Sequence, residues 1–370
     1  MIDSRAGAPE HTFSLHPDPQ WLRTFLVLVL LAAAPGLLRA TTVNVAAGGN
    51  LQAAIDSAQP GDTLLLAAGA TFTGPITLRY KVGTGTDADW ITIRTATADS
   101  SLPVGRRVFP ADAAKLAKIV SPGSGSPALQ TEPQAHHYKL IGLEIAPQDA
   151  QVLVYDLLVL GASGTAQDTL AEVPNHLVVD RCYIHAYPTQ GVKRGIQLNS
   201  ASTDIVNSYI SGFKQVGQDT QAIAGWNGPG PFQITNSYLE GAGENLIFGG
   251  ADPSIPNLVP SDITVRGNYF FKPLSWYFND PSYAGTHWGV KNLLELKNAQ
   301  RVTIDGNVFE NCWGDAQVGY AILFTVRNQD GTAPWSTVQD VQFTHNLVRH
   351  SASAIQTLGT DYSHPSQQEQ

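Results

Sequence analysis

The sequence has few charged residues, and those of positive sign are the scarcer. Only 14% of the chain is charged, and 31 acidic residues outnumber 22 basic ones, which gives a formal net charge of −9. This deficit argues against nucleic-acid binding, which requires a basic footprint. It does not exclude an acidic substrate, because a local basic cleft can exist on an acidic protein. The 34 glycines and 23 prolines favour many short strands joined by turns over a helical protein.

Long apolar segments are also scarce, and one stands near the start of the chain. Residues 25–38 (FLVLVLLAAAPGLL) follow Arg23, an arrangement typical of an export signal and too short for a comfortable membrane span. We therefore predict that residues 1–40 are a signal peptide with an amino-terminal extension. The mature protein, residues 41–370, would then be secreted or periplasmic, with no membrane span of its own. The alternative is a single membrane anchor formed by the same apolar segment.

Seven segments of eight residues share one pattern of alternating apolar positions. They are 138–145, 177–184, 203–210, 232–239, 263–270, 302–309 and 341–348. Such self-similarity predicts a solenoid, because one coil alone cannot bury its apolar face and must stack on its neighbours. The period of two indicates that the repeated segments are strands.

The sixth position of each segment is a turn position, and in six of the seven segments it holds a small polar residue or cysteine. It is occupied in order by Leu143, Cys182, Ser208, Ser237, Asn268, Asn307 and Asn346. Three successive asparagines predict a ladder of stacked amides. Cys182 and Cys312 lie about four coils apart, roughly 19 Å at ~4.8 Å per coil, beyond the ~7 Å Cα separation that a disulfide tolerates. We predict two free thiols, although export would permit a disulfide.

The mature chain begins with a capping signal. Asn50 is a candidate N-cap for a short helix over 51–58, whose apolar side would cover the open end of the first coil. With the repeats that follow it, the segment GGNLQAAIDSAQPGDTLLLAAGATF (48–72) resembles the start of right-handed parallel β-helix proteins of the pectate-lyase-like class. The resemblance implies an all-β fold, a single-stranded right-handed parallel β-helix with a short amino-terminal capping helix. It implies no single chemistry, because that fold hosts lyases, hydrolases, epimerases and non-catalytic adhesins.

The coils differ in length. Successive turn positions are 26 to 39 residues apart, whereas a minimal coil needs little more than ~20 residues. The excess predicts long excursions over 146–175, 272–291 and 310–340, and we interpret 97–133 as a loop within the early coils. The sequence beyond 359 is polar and shows no capping helix, so we expect the chain to be a fragment of a longer β-helix.

A second set of strands is predicted between the repeated ones. These are 195–199, 221–226, 245–250, 292–298, 321–328 and 353–359. If Leu294 and Leu296 point into the core, Glu295 and Lys297 point outward. The same alternation places Arg327 outward on the strand one coil later, about 5 Å along the axis.

Aromatic residues precede and follow this polar group. The candidate substrate-binding residues are Trp276, Tyr277, Trp288, Lys291, Trp313 and Trp335. Aromatic faces beside charged groups along an elongated groove suit a sugar polymer, because apolar ring faces stack on tryptophan while hydroxyls and carboxylates find donors. We therefore expect an extracellular polysaccharide as partner, bound by a monomer.

The polar group matches the needs of β-elimination on a uronate polymer, in which a base removes the C5 proton and cations neutralise the carboxylate. The stretch NLLELKNAQRVTIDGNVFENC (292–312) is similar to the chondroitinase B and alginate lyase family, where a strand bearing Glu and Lys is followed one coil later by a strand bearing Arg. The resemblance implies that Lys297 is the base and that Arg327 assists at the carboxylate or leaving oxygen. It also implies Ca²⁺ as cofactor, with Glu295 and Asn292 as ligands.

Two alternatives remain open from the sequence. Glu295, Lys297 and Arg327 would also suit a surface ion-pair network of little energetic value, and the tryptophans would also suit packing of loops onto the coil. The chain would then be a non-catalytic glycan-binding or structural β-helix. Glycoside hydrolysis would need a pair of carboxylates that the sequence does not reveal.

Overall fold

Three parallel β-sheets run the length of the described chain. The computed structural model describes residues 40–150, 153–189 and 191–366. Within these residues the sheets contain ten, nine and nine strands, and each strand pairs with the equivalent strand one coil away. The predicted right-handed parallel β-helix is confirmed. The predicted export signal lies, apart from Ala40, outside the described residues, and no helix among those described is long and apolar enough to cross a membrane.

The strands of each sheet are given in order along the stack. The first sheet contains Thr42–Val45, Thr63–Leu66, Ile91–Thr95, His136–Ile141, Asn175–Asp180, Ala201–Val206, Phe232–Thr235, Ser261–Arg266, Ala299–Asp305 and Val338–Thr344. The second contains Thr71–Thr73, Ala117–Ser121, Leu143–Pro147, Tyr183–His185, Tyr209–Phe213, Tyr238–Gly241, Tyr269–Phe271, Val308–Cys312 and Leu347–Ser351. The third contains Ile76–Leu78, Leu129–Thr131, Val154–Leu160, Val192–Leu198, Gln221–Gly225, Glu244–Phe248, Leu294–Leu296, Tyr320–Thr325 and Ser353–Leu358.

The core consists of apolar columns in which equivalent residues of successive coils stack. In the second sheet Ile184 pairs with Ile210, and Leu239 pairs with Phe270. All four are fully buried. Because the side-chain period of a strand is two, one such column fixes which face of every strand points inward.

The turn between the first and second sheets has the predicted ladder. Oδ1 of Asn307 accepts hydrogen bonds from the backbone N–H and the Nδ2 of Asn268, at 2.9 and 3.1 Å. Asn346 accepts from Asn307 in the same way. Ser237 continues the column, since its backbone N–H donates to Asn268 Oδ1. The residue before each ladder position has a positive φ, for example 66° at Gly306, and this left-handed residue turns the chain from one sheet into the next.

The amino-terminal cap is also confirmed. An α-helix spans Leu51–Ser57, and the side chain of Asn50 accepts a hydrogen bond from the N–H of Ala53 at 2.9 Å. Leu51 and Ile55 are buried and belong to the main core. The helix therefore covers the first coil with apolar side chains, as the pattern predicted.

Segment 97–133 differs from the prediction of a loop. It contributes the strands Ala117–Ser121 and Leu129–Thr131 to the second and third sheets. Proline and serine around these short strands hid them from the repeat pattern. Both cysteines are free and buried, as predicted. Six 3₁₀ helices lie in the described loops: Asp87–Asp89, Asp99–Ser101, Pro110–Lys115, Gly164–Ala166, Leu170–Glu172 and Leu274–Trp276.

Candidate functional site

The outer face of the third sheet carries a groove lined by polar side chains. Leu294 and Leu296 lie in the core, and Glu295 between them lines the groove together with Lys297 and Arg327. The predicted orientation of these residues is therefore confirmed. The groove consists of two hollows of about 230 and 270 Å³ that share Lys297.

The hollow nearer the amino-terminal coils contains Lys193, Arg194, Asp219, Gln221, Trp226, Glu244, Gly249, Lys297 and Gln329. The other contains Glu295, Lys297, Gln317, Leu323, Thr325, Arg327 and Gln356.

Two carboxylates lie buried at the floor of the groove. Glu244 and Glu295 are each 1% exposed. Burial and, second to it, the charge of Glu295 raise the pKa of Glu244 to about 7. Gln221 Nε2 donates to Glu244 Oε2 at 2.8 Å, and Lys291 Nζ lies 3.6 Å from Glu244 Oε1. A carboxyl group with such a pKa is characteristic of functional sites.

Lys297 lies between these carboxylates and the next coil. Its Nζ is 3.4 Å from Glu295 Oε1, and its backbone carbonyl accepts a 2.9 Å hydrogen bond from the N–H of Arg327. Arg327 Nη1 is 3.1 Å from the buried Asp361 Oδ1, which orients the guanidinium. The absence of a side chain at Gly249 leaves room for Lys297, because a Cβ added at Gly249 would lie 2.7 Å from the Cβ of Lys297.

A second chain of polar contacts extends the groove toward earlier coils. Arg194 Nη1 is 2.7 Å from Asp156 Oδ1, and Arg194 Nε donates to Gln221 Oε1 at 2.9 Å. The guanidinium of Arg194 also lies 5.0 Å from the ring centre of Trp226. This end of the groove therefore offers an aromatic ring beside a cation, a combination suited to an acidic sugar.

Oxygen ligands for a cation are present at the predicted place. Asn292 Oδ1 is buried and has no hydrogen-bond partner, while Asn292 Nδ2 donates to Gln317 Oε1 at 2.8 Å and lies 3.4 Å from Glu295 Oε2. The described residues contain no group of three or more His, Cys, Asp or Glu placed for a metal. Carboxylate and amide oxygens are ligands that Ca²⁺ accepts, and here Nδ2 of Asn292, rather than its Oδ1, faces Glu295.

The structure places most of the predicted aromatic residues away from this groove. Trp276, Trp288 and Trp313 form a buried cluster with Val290, against which Tyr277 packs. Burial of these large apolar rings fastens the 272–291 excursion to the coil. They do not line the groove beside Lys297, and their role in binding a substrate stays a prediction.

The other two predicted substrate-binding residues are Trp335 and Lys291, and they differ in where they lie relative to the groove. Trp335 is half-buried and donates its indole N–H to the carbonyl of Leu258 at 2.9 Å, outside the groove. Lys291 reaches the edge of the groove, where its Nζ pairs with Asp219. Sequence reasoning missed Glu244 and Trp226. The signal for Trp226 was available, because it lies two residues beyond the outward Ala224.

Comparisons with known proteins concern the fold of the chain and not its activity. No protein-family model matches the chain, and no curated protein matches it. Among solved structures, an alginate lyase from a Paenibacillus species has a TM-score of 0.46 at 15% identity, covering 86% of this chain and 99% of that one. A pectate lyase has a TM-score of 0.43 at 15% identity, covering 86% and 79%. The pectin methylesterase of Aspergillus niger has a TM-score of 0.47 at 13% identity, covering 84% and 86%.

The parallel β-helix follows from the strand pairing of this chain, and these similarities, all with a TM-score below 0.5, add no argument to it. They are too distant to assign an activity, because one fold hosts many chemistries.

Proposed function

We propose that the chain is a secreted or periplasmic polysaccharide lyase that cleaves a uronate-containing polymer by β-elimination in the groove of the third sheet. One observation carries the proposal. Lys297 and Arg327 line a single hollow with the buried Glu295, whose Oε2 lies 3.4 Å from Nδ2 of Asn292. A base, a second cation and a set of hard oxygen ligands are the groups that this reaction needs.

In this mechanism Lys297 takes the C5 proton of a uronate residue. The electrons of the C5–H bond form the C4–C5 double bond, the C4–O bond breaks, and the leaving oxygen takes a proton from water. Arg327, oriented by Asp361 at 3.1 Å, stabilises the negative charge that develops at the carboxylate or leaving oxygen. An oriented donor of this kind is effective because it is already in place before the reaction.

Ca²⁺ is the cofactor that these residues would hold. Asn292 and Glu295, with Glu244 as a third candidate, supply the oxygen ligands. When bound, the ion would neutralise the substrate carboxylate and so make the C5 proton more acidic.

A second function is favoured by a specific observation. Lys297 is 3.4 Å from Glu295, Arg327 is 3.1 Å from Asp361, and Lys291 pairs with Asp219. Each cation thus already has an anionic partner. This pairing suits a non-catalytic β-helix that binds an extracellular glycan along the same groove.

The test is the ultraviolet absorbance of the unsaturated product with alginate, pectate and chondroitin. We expect the wild type to release it from one of these polymers and Lys297→Ala to lose the activity. Lys139→Ala is the matched control, because Lys139 lies on the first sheet over Trp90, outside the groove. Absence of product from all three polymers would favour the binding function, and equal activity of Lys297→Ala would remove Lys297 as the base.

A further inference from the structure

A second cavity lies on another side of the β-helix. It has a volume of about 550 Å³, twice that of either hollow of the groove. The strands of the second sheet form one wall and the 272–291 excursion forms the other. Its lining includes Tyr183, His185, Lys214, Glu240, Trp276 and Trp288. None of the residues that line it also lines the groove.

Lys214 is the central cation of this cavity. It is only 3% exposed, and its Nζ lies 5.7 Å from the ring centre of Trp276 and 5.5 Å from that of Trp288. Nζ donates to the carbonyls of Tyr187 and Gly212, at 3.1 and 3.0 Å. An ammonium group has three N–H donors, so one remains for a ligand. Burial lowers the pKa of Lys214 to about 8, which leaves the group mainly cationic at neutral pH.

Two carboxyl groups near Lys214 have hydrogen-bond donors of their own. Glu240 accepts hydrogen bonds from the N–H of Gly212 at 2.9 Å and from the hydroxyl of Tyr238 at 2.7 Å. Burial raises the pKa of Glu240, which favours its neutral form. Glu144, behind the lining, is matched by two groups, Lys118 Nζ at 2.7 Å and His185 Nε2 at 3.0 Å. Lys214 Nζ donates to backbone carbonyls rather than to these carboxyl groups, which have donors of their own.

The ring surfaces and hydroxyls of the lining complete the site. The imidazole of His185 stacks on Tyr183 with ring centres 4.0 Å apart. Its two ring nitrogens face Glu144 and the carbonyl of Ala186. Ser211, Thr189 and Thr286 add hydroxyl groups to the lining. Aromatic walls with a few convergent polar groups are typical of small-ligand sites, and the volume lies in their usual range of about 300–1,000 Å³.

We propose that this cavity binds an acidic saccharide of one or two units, with its carboxylate on Lys214 and its apolar ring face against Trp276 and Trp288. The site is separate from the groove of the third sheet. The inference goes beyond the proposed cleavage reaction and does not require the groove to be catalytic. It also gives the predicted aromatic residues Trp276 and Trp288 a ligand, in a different place from the one that the sequence suggested.

The experiment measures binding of three monosaccharides, galacturonate, glucuronate and mannuronate, to the whole chain by calorimetry. Galactose, glucose and mannose are the matched neutral sugars. We expect one or more uronates to bind with one-to-one stoichiometry, and each neutral sugar to bind at least about tenfold more weakly, because a charge-assisted hydrogen bond is lost.

Two variants locate the binding. Lys214→Met keeps the aliphatic stem and removes the charge, and we expect it to weaken binding at least about tenfold. Ala284→Trp fills the cavity from an exposed position of the excursion and should abolish binding even if Lys214→Met fails to fold. The matched controls are Lys139→Met, whose ammonium lies 4.3 Å from the ring centre of Trp90, and Ser282→Trp, on the same excursion but outside the lining. Both controls should bind as the wild type does.

Three results would overturn the proposal: no binding of any uronate at millimolar concentration, equal affinity for the neutral sugars, or unchanged affinity in Ala284→Trp. Binding should persist in Lys297→Ala, which alters only the groove. A chain that releases no unsaturated product yet binds uronate in the cavity would reject the lyase function and retain this one.

Discussion

Nζ of Lys297 lies 3.4 Å from Oε1 of Glu295, and both groups belong to one strand of the third sheet or its continuation. Residues two apart on a strand share a face, so this contact follows directly from the sequence LELKN. The strand alone does not explain why Glu295 is buried. Glu295 is 1% exposed, and its strand neighbours in the two adjacent coils are Ile247 and Leu323. A charge pair that would be weak at the surface thus lies in surroundings where electrostatic interactions are stronger.

The first prediction concerns Glu295→Gln, which keeps the shape of the side chain and removes its charge. We expect at least about a hundredfold loss of kcat/KM, because the variant keeps the shape of the site but lacks the charge of a proposed calcium ligand. Wild-type activity should also fall on addition of a chelator, whereas the residual activity of Glu295→Gln should not. Glu310→Gln, on the second sheet beside Tyr269 and Arg349, is the control and should remain active. Full wild-type activity in chelator would contradict the calcium assignment.

The second prediction tests the space around Lys297. Gly249 has a φ of 103°, and a Cβ placed there would come within 2.7 Å of Lys297 Cβ. We expect Gly249→Ala to displace Lys297 and to lower kcat about 10- to 100-fold, since small displacements of a catalytic group have effects of this size. Gly250→Ala is the control. Its φ of 82° carries a similar backbone strain, but its Cβ would meet only the side-chain end of Ile247. Equal losses in both variants would assign the effect to backbone strain.

The third prediction concerns the pH dependence of stability. Burial raises the pKa of Glu244 from 4.5 to about 7, so the folded state binds more protons than the unfolded state between these values. The contribution of Glu244 to stability is therefore fully present below pH 4.5 and is lost as the pH rises to about 7. Glu244→Gln cannot ionise and should lack this loss, gaining up to about 3 kcal/mol over the wild type at pH 8 relative to pH 5.

Urea unfolding of both proteins at pH 5 and pH 8, in chelator, measures this difference. Titrating groups far from Glu244 cancel in the comparison, whereas Glu295 and Lys291 interact with Glu244 and contribute to the measured difference. Parallel pH profiles for wild type and Glu244→Gln would show that Glu244 ionises at its ordinary pKa.

The fourth prediction concerns the asparagine ladder. Asn307 accepts from the N–H of Asn268 and donates from Nδ2 to the carbonyl of Val265 at 2.9 Å. Asn307→Ala leaves both groups unpartnered in a buried turn and should reduce the free energy of unfolding by about 2–4 kcal/mol. Asn307→Ser should lose less, because Ser237 Oγ accepts the N–H of Ser208 at the equivalent place two and three coils earlier. Denaturant midpoints of the three proteins decide the order, and an alanine variant as stable as the serine variant would contradict it.

The β-helix and the position of Lys297 beside Arg327 follow from sequence, because both depend on short-range periodicity. A period of two and a repeated turn residue are sufficient to identify strands, core faces and the ladder. The same reasoning failed for Trp276 and Trp288. An indole in a long excursion has no period from which its direction can be inferred, and burial of apolar area determined where these rings packed.

Residues brought together across coils were harder to find. Glu244 and Glu295 are 51 positions apart in the sequence, and the intervening excursion has a length that no repeat predicts. Lys272 is a further case. It is fully buried, and its Nζ donates to the carbonyls of Gly241, Ala242 and Gly243. The residues next to Lys272 in the sequence do not indicate that its side chain binds a turn of the preceding coil.

Pairing along the three sheets joins equivalent residues whether 26 or 39 residues separate them. Strand pairing in the β-helix therefore does not depend on the length of the loops inserted between its strands. We expect that an excursion such as 272–291 can be exchanged for another loop. The exchange would change which ligands the protein binds and would leave the paired strands beneath the loop in place.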